Sequence, residues 1–182
     1  MKKILALAAM VVLMGASSVA MAADGASKVK FVGAVGLGGA VKGDGFTSDY
    51  SSGAGLDGNL GLQFDENLSV LLEINSYIFQ TTFSGVYSAE VNFIPTLKYA
   101  FGQSKTKFYL LGGLGVNVNE LVVSTDAGNA TLSQSNFAIE PGAGIQFPLN
   151  DALDLYLQAE FVDVFANSTF SYVPISVGLD FM

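Results

Sequence analysis

The chain contains no cysteine, no histidine and no arginine. Without cysteine, no disulfide can stabilise the fold, and the usual zinc sites of histidine and cysteine are excluded. A serine or cysteine nucleophile activated by histidine is excluded for the same reason. We therefore expect no enzyme activity, no cofactor and no metal centre of the histidine or cysteine type.

Positive charge is also scarce. Eight lysines face sixteen aspartates and glutamates, which gives a formal net charge of −8. Binding to nucleic acid requires a basic surface that neutralises phosphates. We expect no nucleic-acid partner.

Long hydrophobic runs are absent except at the N-terminus. Lys2 and Lys3 precede an apolar run from Ile4 to Met14, and the small residues Ala20 and Ala22 follow. This pattern is typical of a secretory signal peptide, whereas a retained transmembrane helix needs about 20 apolar residues. The sequence predicts a signal peptide over residues 1–22 and one exported domain over residues 23–182.

Hydrophobic residues are nevertheless abundant, at 51% of the chain with a mean hydropathy of +0.47. They are dispersed by alternation, and the last segment shows this most clearly. Between Phe170 and Met182, every second residue from Val173 to Phe181 is apolar, and the residues between them are small or polar. A period of two indicates a β-strand with two different faces.

Eight segments follow this alternation, and polar or glycine-rich breaks separate them. They span residues 29–41, 55–64, 68–79, 89–101, 107–119, 136–147, 153–165 and 170–182. Most breaks alternate between long and short, with long loops expected at 42–53, 80–87 and 122–133. The sequence predicts an all-β fold, an eight-stranded antiparallel up-and-down transmembrane β-barrel.

Aromatic residues collect at the predicted strand ends. One rim of the barrel should carry Phe31, Phe64, Tyr99, Phe101, Phe108, Phe147 and Phe181. The other, less regular rim should carry Phe79, Phe83, Tyr87, Phe137, Phe165 and Phe170. Between these rims we expect no charged residue in the outward rows, as a lipid-facing surface requires. The alternative is a soluble β-sandwich or lipocalin-like barrel, whose apolar residues would face inward.

The final segment carries a further pattern. Gly178, Leu179 and Phe181 resemble the C-terminal insertion signal of bacterial outer-membrane β-barrels, although that family usually ends on an aromatic residue where this chain has Met182. Over residues 23–182 the chain is similar to the small OmpA-, OmpX-, OmpW- and opacity-like barrels. The resemblance implies a monomer in the outer membrane of a Gram-negative cell envelope. Its partners would be lipid, lipopolysaccharide and, during insertion, the barrel assembly machinery.

The inward rows contain the candidate functional residues. Seven carboxylates are expected inside, namely Asp57, Glu73, Glu90, Glu140, Asp154, Glu160 and Asp180. Asp57, Glu73, Glu140 and Glu160 should form an acidic ring near mid-height, which must take up protons, hold water or attract a cation.

The two lysines expected inside are Lys30 and Lys98. The first and last strands meet on closure, so we expect Lys30 to pair with Asp180. Lys98 lies one strand from Glu73 and is expected to pair with that carboxylate.

Two functions remain open at this point. The first is a structural or surface-interaction role in the outer membrane without catalysis. The second is a narrow, porin-like path for cations or for small hydrophobic molecules, as in the OmpW-like relatives. Inward glycines either leave space for such a path or relieve strain in a small barrel.

Overall fold

The structure is a computed structural model that describes residues 29–46, 49–102, 105–125 and 128–181. The predicted signal peptide, residues 1–22, lies outside these residues. The strands are β1 (Lys30–Lys42), β2 (Tyr50–Gln63), β3 (Leu68–Thr81), β4 (Val86–Phe101), β5 (Lys107–Thr125), β6 (Gly128–Asn150), β7 (Leu153–Glu160), β8 (Val162–Phe165) and β9 (Phe170–Phe181). No helix of the described residues is long and apolar enough to cross a membrane.

The strands form one closed antiparallel ring. From β1 to β7 each strand pairs with the next one in the chain, and β9 returns to β1 with Phe181 opposite Gly33 and Tyr172 opposite Lys42. β7 and β8 both lie between β6 and β9, so they act as one strand interrupted at Phe161. The amide of Phe161 still donates to the carbonyl of Pro141 at 2.8 Å. The prediction of an eight-stranded up-and-down barrel is therefore confirmed.

The connections mark two rims. We call the end with the breaks after β2, β4 and β6 the lower rim, and the end with the breaks after β1, β3, β5 and β8 the upper rim. At the lower rim, Asp65 Oδ1 accepts hydrogen bonds from the amides of Asn67 and Leu68 at 2.8 and 2.9 Å. These bonds stabilise the carboxylate and lower the pKa of Asp65.

One predicted loop is wrong. Residues 122–125 and 128–133 form paired strand, because β5 and β6 continue as a hairpin in which Leu121 lies opposite Leu132 and Thr125 opposite Gly128. The alternation of apolar and polar residues marks only the part of a strand that has lipid on one side. Above the rim most of the described hairpin residues are exposed, so the pairing continues without that pattern.

The apolar rows face outward. Leu37, Leu114 and Leu110 are 65%, 63% and 57% exposed, whereas Glu90 and Glu140 are fully buried. A soluble barrel would bury the leucines and expose the acids. The structure excludes that alternative, because its outer surface suits hydrocarbon and its polar groups are enclosed.

One charged residue contradicts the prediction that the outward rows carry no charge. Asp163 lies on β8 between the buried residues Val162 and Val164, so it takes an outward position and is partly exposed. It lies close to the upper rim, where a carboxylate costs little because the headgroup region is near.

The rims differ in how well they match prediction. At the lower rim, Phe31, Phe64, Tyr99, Phe101, Phe108 and Phe147 are all exposed. At the upper rim, Phe79 is fully buried and Phe170 packs against the interior cluster, so their assignment to an outer girdle is wrong. Phe79 shares its side of β3 with Glu73 and Tyr77, which places its ring inside.

Inward glycines make room for large side chains from neighbouring strands. A Cβ on Gly144 would collide with the ring of Tyr109, and a Cβ on Gly36 would collide with the hydroxyl of Tyr156. The interior of an eight-stranded barrel is only wide enough for side chains to fill it. Space left by these glycines is therefore taken by tyrosine rings.

Gly144→Ala should destabilise the barrel by about 1 to 3 kcal/mol, because the added methyl group overpacks the space that Tyr109 occupies. Gly112→Ala is the matched control, since a Cβ at that outward position meets nothing within 4 Å. Urea unfolding in lipid bilayers measures both. Equal stability of the two variants would contradict this account of the interior.

Leu114→Lys should destabilise the inserted barrel by about 2 to 4 kcal/mol, because Leu114 faces outward near mid-height and a lysine there meets hydrocarbon. Ser133→Lys is the control, because Ser133 is exposed on the hairpin beyond the upper rim. The same unfolding measurement applies. A loss of less than half a kcal/mol for Leu114→Lys would place that surface in water.

Candidate functional site in the barrel interior

Four strands bring the predicted acidic residues into the interior. Asp57 lies on β2, Glu73 on β3, Glu140 on β6 and Glu160 on β7, each at an inward position. All four are buried, with exposed fractions of 7%, 2%, 0% and 3%. One carboxylate oxygen from each of Glu73, Glu140 and Glu160 lies within 4.8 Å of the others. We call these three residues the carboxylate cluster, and Asp57 lies outside it.

Neutral side chains hold each member of the cluster. Thr96 donates to Glu73 Oε2, Asn75 to Glu140 Oε1 and Gln158 to Glu160 Oε1, each at 2.9 Å. These donors come from β4, β3 and β7, so the cluster is supported from several sides of the lumen.

The support is incomplete. Among the described residues, Glu140 Oε2 and Glu160 Oε2 accept no hydrogen bond from a donor group, although both atoms are buried. The two side chains are close enough to bond to each other when one carries a proton. The buried hydroxyl of Tyr77 also has no hydrogen-bond partner in the part of the chain that the structure describes, and it interacts electrostatically with Asp57, Glu160 and Glu140.

Asp57 is held separately. The hydroxyl of Tyr156 on β7 donates to Asp57 Oδ1 across the lumen. Gly36 allows this contact, because a Cβ there would collide with both partners. The predicted ring is thus three clustered glutamates with an aspartate bound to a tyrosine.

The predicted ion pairs are wrong in their partners. Asp180 binds Lys98 at 2.9 Å and accepts a hydrogen bond from Gln146 at 2.5 Å. On β1 the residue opposite Asp180 is Ala34 and not Lys30. Lys30 lies nearer the lower rim and is exposed. Glu73 accepts its hydrogen bond from Thr96 rather than from Lys98.

The Lys98 side chain reaches across the barrel from β4 to β9. Its Nζ lies 4.3 Å from the centroid of the Tyr109 ring, which adds a cation–π contact. Below this pair, a cavity of about 140 Å³ continues toward the lower rim, and Asp154, Ala100 and Lys107 are among its lining residues.

The upper half of the interior contains a hydrogen-bonded network around Glu90 and a cluster of aromatic rings, neither of which was predicted from the sequence. Glu90 accepts hydrogen bonds from Ser88, Asn117 and Asn119. Above it, five aromatic rings pack together and form what we call the aromatic plug: Phe46, Tyr50, Phe79, Phe170 and Tyr172. The inward positions of Phe79 and Tyr172 on their strands could have predicted that their rings lie inside the barrel. Phe46 lies in a loop, where strand alternation predicts no side-chain direction.

The proposed insertion pattern lies on the closing strand. Leu179 and Phe181 occupy outward positions of β9 opposite Val35 and Gly33 of β1. Gly178 faces inward, and a Cβ there would press on the β1 backbone and on the ring of Tyr156. The role of these residues as a signal stays a prediction.

Lys98→Met should destabilise the barrel by about 3 kcal/mol or more, because it leaves the Asp180 carboxylate buried with only Gln146. Lys30→Met is the control, since Lys30 is exposed. Combining Lys98→Met with Asp180→Leu should restore much of the loss, because no unpaired charge then remains. Urea unfolding measures the stability of all three variants. An equal loss of stability in Lys98→Met and Lys30→Met would contradict the predicted role of the Lys98–Asp180 pair.

The comparisons with known proteins agree with this geometry. The family model described as "Outer membrane protein beta-barrel domain" matches residues 6–181. Among curated proteins, no sequence matches the chain.

Solved structures share the fold. Neisserial surface protein A is 17% identical at a TM-score of 0.58, over 87% of this chain and 99% of that chain. The attachment invasion locus protein Ail of Yersinia pestis, in complex with the heparin analogue sucrose octasulfate, is 16% identical at a TM-score of 0.55. This match covers 83% of this chain and 96% of that chain. The N-terminal β-barrel domain of Pseudomonas aeruginosa OprF is 15% identical at a TM-score of 0.52, and the match covers 83% of this chain and 97% of that chain. The chain belongs to the outer-membrane protein β-barrel domain family and is an outer-membrane protein of the Gram-negative type.

Proposed function

We propose that the protein is a closed structural barrel of the outer membrane that presents the β5–β6 hairpin as a surface for interaction and performs no catalysis. The observation that carries this proposal is the aromatic plug. Phe79 and Tyr172 are fully buried, and the rings of Phe46 and Phe79 lie 5.0 Å apart across the upper lumen. Rings packed at this distance narrow the upper lumen, which supports a closed barrel rather than a pore.

The remainder of the interior supports closure. Asn92 donates to the hydroxyl of Tyr172 at 2.7 Å and joins the plug to the network around Glu90. Lower down, the hydroxyl of Tyr109 donates to Gln158 at 2.8 Å. Hydrogen-bonded polar side chains therefore occur both below the plug and near the Lys98–Asp180 pair, and they connect strands across the interior.

The hairpin supports the surface role. β5 and β6 contain 19 and 23 residues, whereas a membrane crossing needs about 9 to 11. The surplus lies at the upper rim, where Leu132 is exposed among serine and glutamine residues. We infer that the upper rim faces outward from the cell, as long connections do in bacterial barrels.

The structural neighbour Ail carries a sulfated heparin analogue, but a sulfated partner does not fit this hairpin. The segment from Asn119 to Asn136 contains acids and no lysine or arginine. Charge repulsion disfavours polyanions there, so we propose a neutral or basic partner surface.

The proposal also includes the expected partners. Outer-membrane lipid and lipopolysaccharide would contact the outward apolar rows, and the barrel assembly machinery would act on the C-terminal strand with Gly178, Leu179 and Phe181. The barrel would be a monomer, since closure of β1 on β9 leaves the membrane-spanning wall without an open edge.

The second candidate is a narrow cation path. The cavity of about 140 Å³ above the lower rim and the carboxylate cluster favour it, because acids in a lumen attract cations. Such a path would require the aromatic plug to open.

Planar-bilayer recording separates the two functions. Wild-type protein should give no stable current steps, because the plug blocks the upper lumen. Joint replacement Phe46→Ala and Tyr172→Ala removes two of its rings and should increase ion leakage. Phe83→Ala is the control, since that aromatic side chain is exposed outside the plug. Stable cation-selective steps from the wild type would favour the pore instead.

A further inference from the structure

The carboxylate cluster has more negative charge than its surroundings neutralise. Lys98, whose side chain is buried in the interior, is bonded to Asp180, and Lys30 is exposed. The donors that hold Glu73, Glu140 and Glu160 are the neutral side chains of Thr96, Asn75 and Gln158. Charges buried in this way need a counterion or a proton.

A second observation is independent of the acids. The Tyr77 hydroxyl belongs to a fully buried side chain and has no hydrogen-bond partner among the described residues. It interacts electrostatically with Asp57 most strongly, and also with Glu160 and Glu140. A buried phenol normally finds a partner. Its oxygen is therefore free to act as a neutral ligand, and Glu140 Oε2 and Glu160 Oε2 likewise accept no hydrogen bond from any donor group that the structure describes.

The spacing allows one ion to reach all three carboxylates, and the ligand type and the close packing favour calcium. Calcium binds oxygen ligands at about 2.3 to 2.6 Å in flexible geometry, so opposite ligand oxygens lie roughly 5 Å apart. The oxygens of the cluster lie within 4.8 Å of one another. Magnesium requires shorter bonds, of about 2.0 to 2.1 Å, and usually keeps several waters, for which this packed lumen has little room. The donor set contains only oxygen, which excludes a preference for softer metals.

We propose that Glu73, Glu140 and Glu160, with the hydroxyl of Tyr77, bind one calcium-sized divalent cation inside the barrel. The ion ties β3 to β6 and β7 on the other side of the lumen. It acts as a structural clamp and is not required for the closed-barrel function proposed above. The competing explanation is a proton shared between Glu140 and Glu160.

The first experiment measures thermal stability of the barrel refolded into detergent micelles with calcium or with a calcium chelator. The cluster is buried, so the ion must be present during folding. Wild-type melting temperature should rise by roughly 5 to 10 °C at calcium concentrations about 100-fold above the dissociation constant. Glu140→Gln should lose most of this increase. With the chelator, Glu140→Gln should be at least as stable as wild type, because it removes one of the crowded charges.

Glu90→Gln is the matched control. Glu90 is as deeply buried as Glu140, but its carboxylate is bonded to Ser88, Asn117 and Asn119. Its variant should keep the full calcium response. A wild type that does not respond to calcium overturns the proposal, and a response dependent only on pH assigns the cluster to a shared proton. An equal response in both variants places the ion on the outer surface or the detergent.

The second experiment reports the location of the ion. The chain has no tryptophan, so tyrosine is its ultraviolet sensitiser for terbium, which replaces calcium at oxygen sites. Terbium bound at the cluster should emit on tyrosine excitation, and Tyr77→Phe should reduce terbium affinity severalfold by removing a ligand oxygen. Tyr99→Phe, exposed at the lower rim, should leave the affinity unchanged. An unchanged affinity in Tyr77→Phe excludes that hydroxyl from the site and overturns the ligand set proposed.

Discussion

The structure depends on one constraint, which is that backbone groups inside a membrane have no water to bond. A sheet can meet this requirement only if its first and last strands pair, as β1 and β9 do from Gly33–Phe181 to Lys42–Tyr172. Closure then decides where every other residue lies. Since alternate side chains point to opposite faces, the apolar row must face lipid and the polar row must share a narrow lumen.

The width of that lumen controls the interior chemistry. Eight strands bring opposite walls so near that Lys98 on β4 reaches Asp180 on β9 directly. The same proximity explains the glycines, because Tyr109 and Tyr156 occupy the volume that side chains at Gly144 and Gly36 would fill. An interior of this kind resembles a packed polar core, in which partners are selected by distance across the lumen.

The difference between local patterns along a strand and distances across the lumen explains what could be predicted from the sequence. The period of two identifies strands and faces, because both are local properties of the chain, and Leu114 and Glu140 lie on the sides that it indicates. The partner of Asp180 depends on strand stagger and on side-chain reach, which no local pattern encodes. Lys30 was the nearest lysine by strand order, but the register places Ala34 beside Asp180. The hairpin above residue 119 was missed because strands outside lipid need no alternation.

The plug and the carboxylate cluster illustrate two ways to fill a closed lumen. Phe46, Phe79 and Tyr172 fill it with rings that need few hydrogen-bond partners, and Asn92 donates to the hydroxyl of Tyr172. Gln146 and Gln158 show that neutral amides are equally available as polar filling. Against that background, three adjacent glutamates are an expensive choice for packing alone, because amides of the same size would bury no charge. Their carboxylates therefore need a counterion or a proton within the lumen. The Lys98–Asp180 pair, lower in the same lumen, is one case in which a cation neutralises a buried acid.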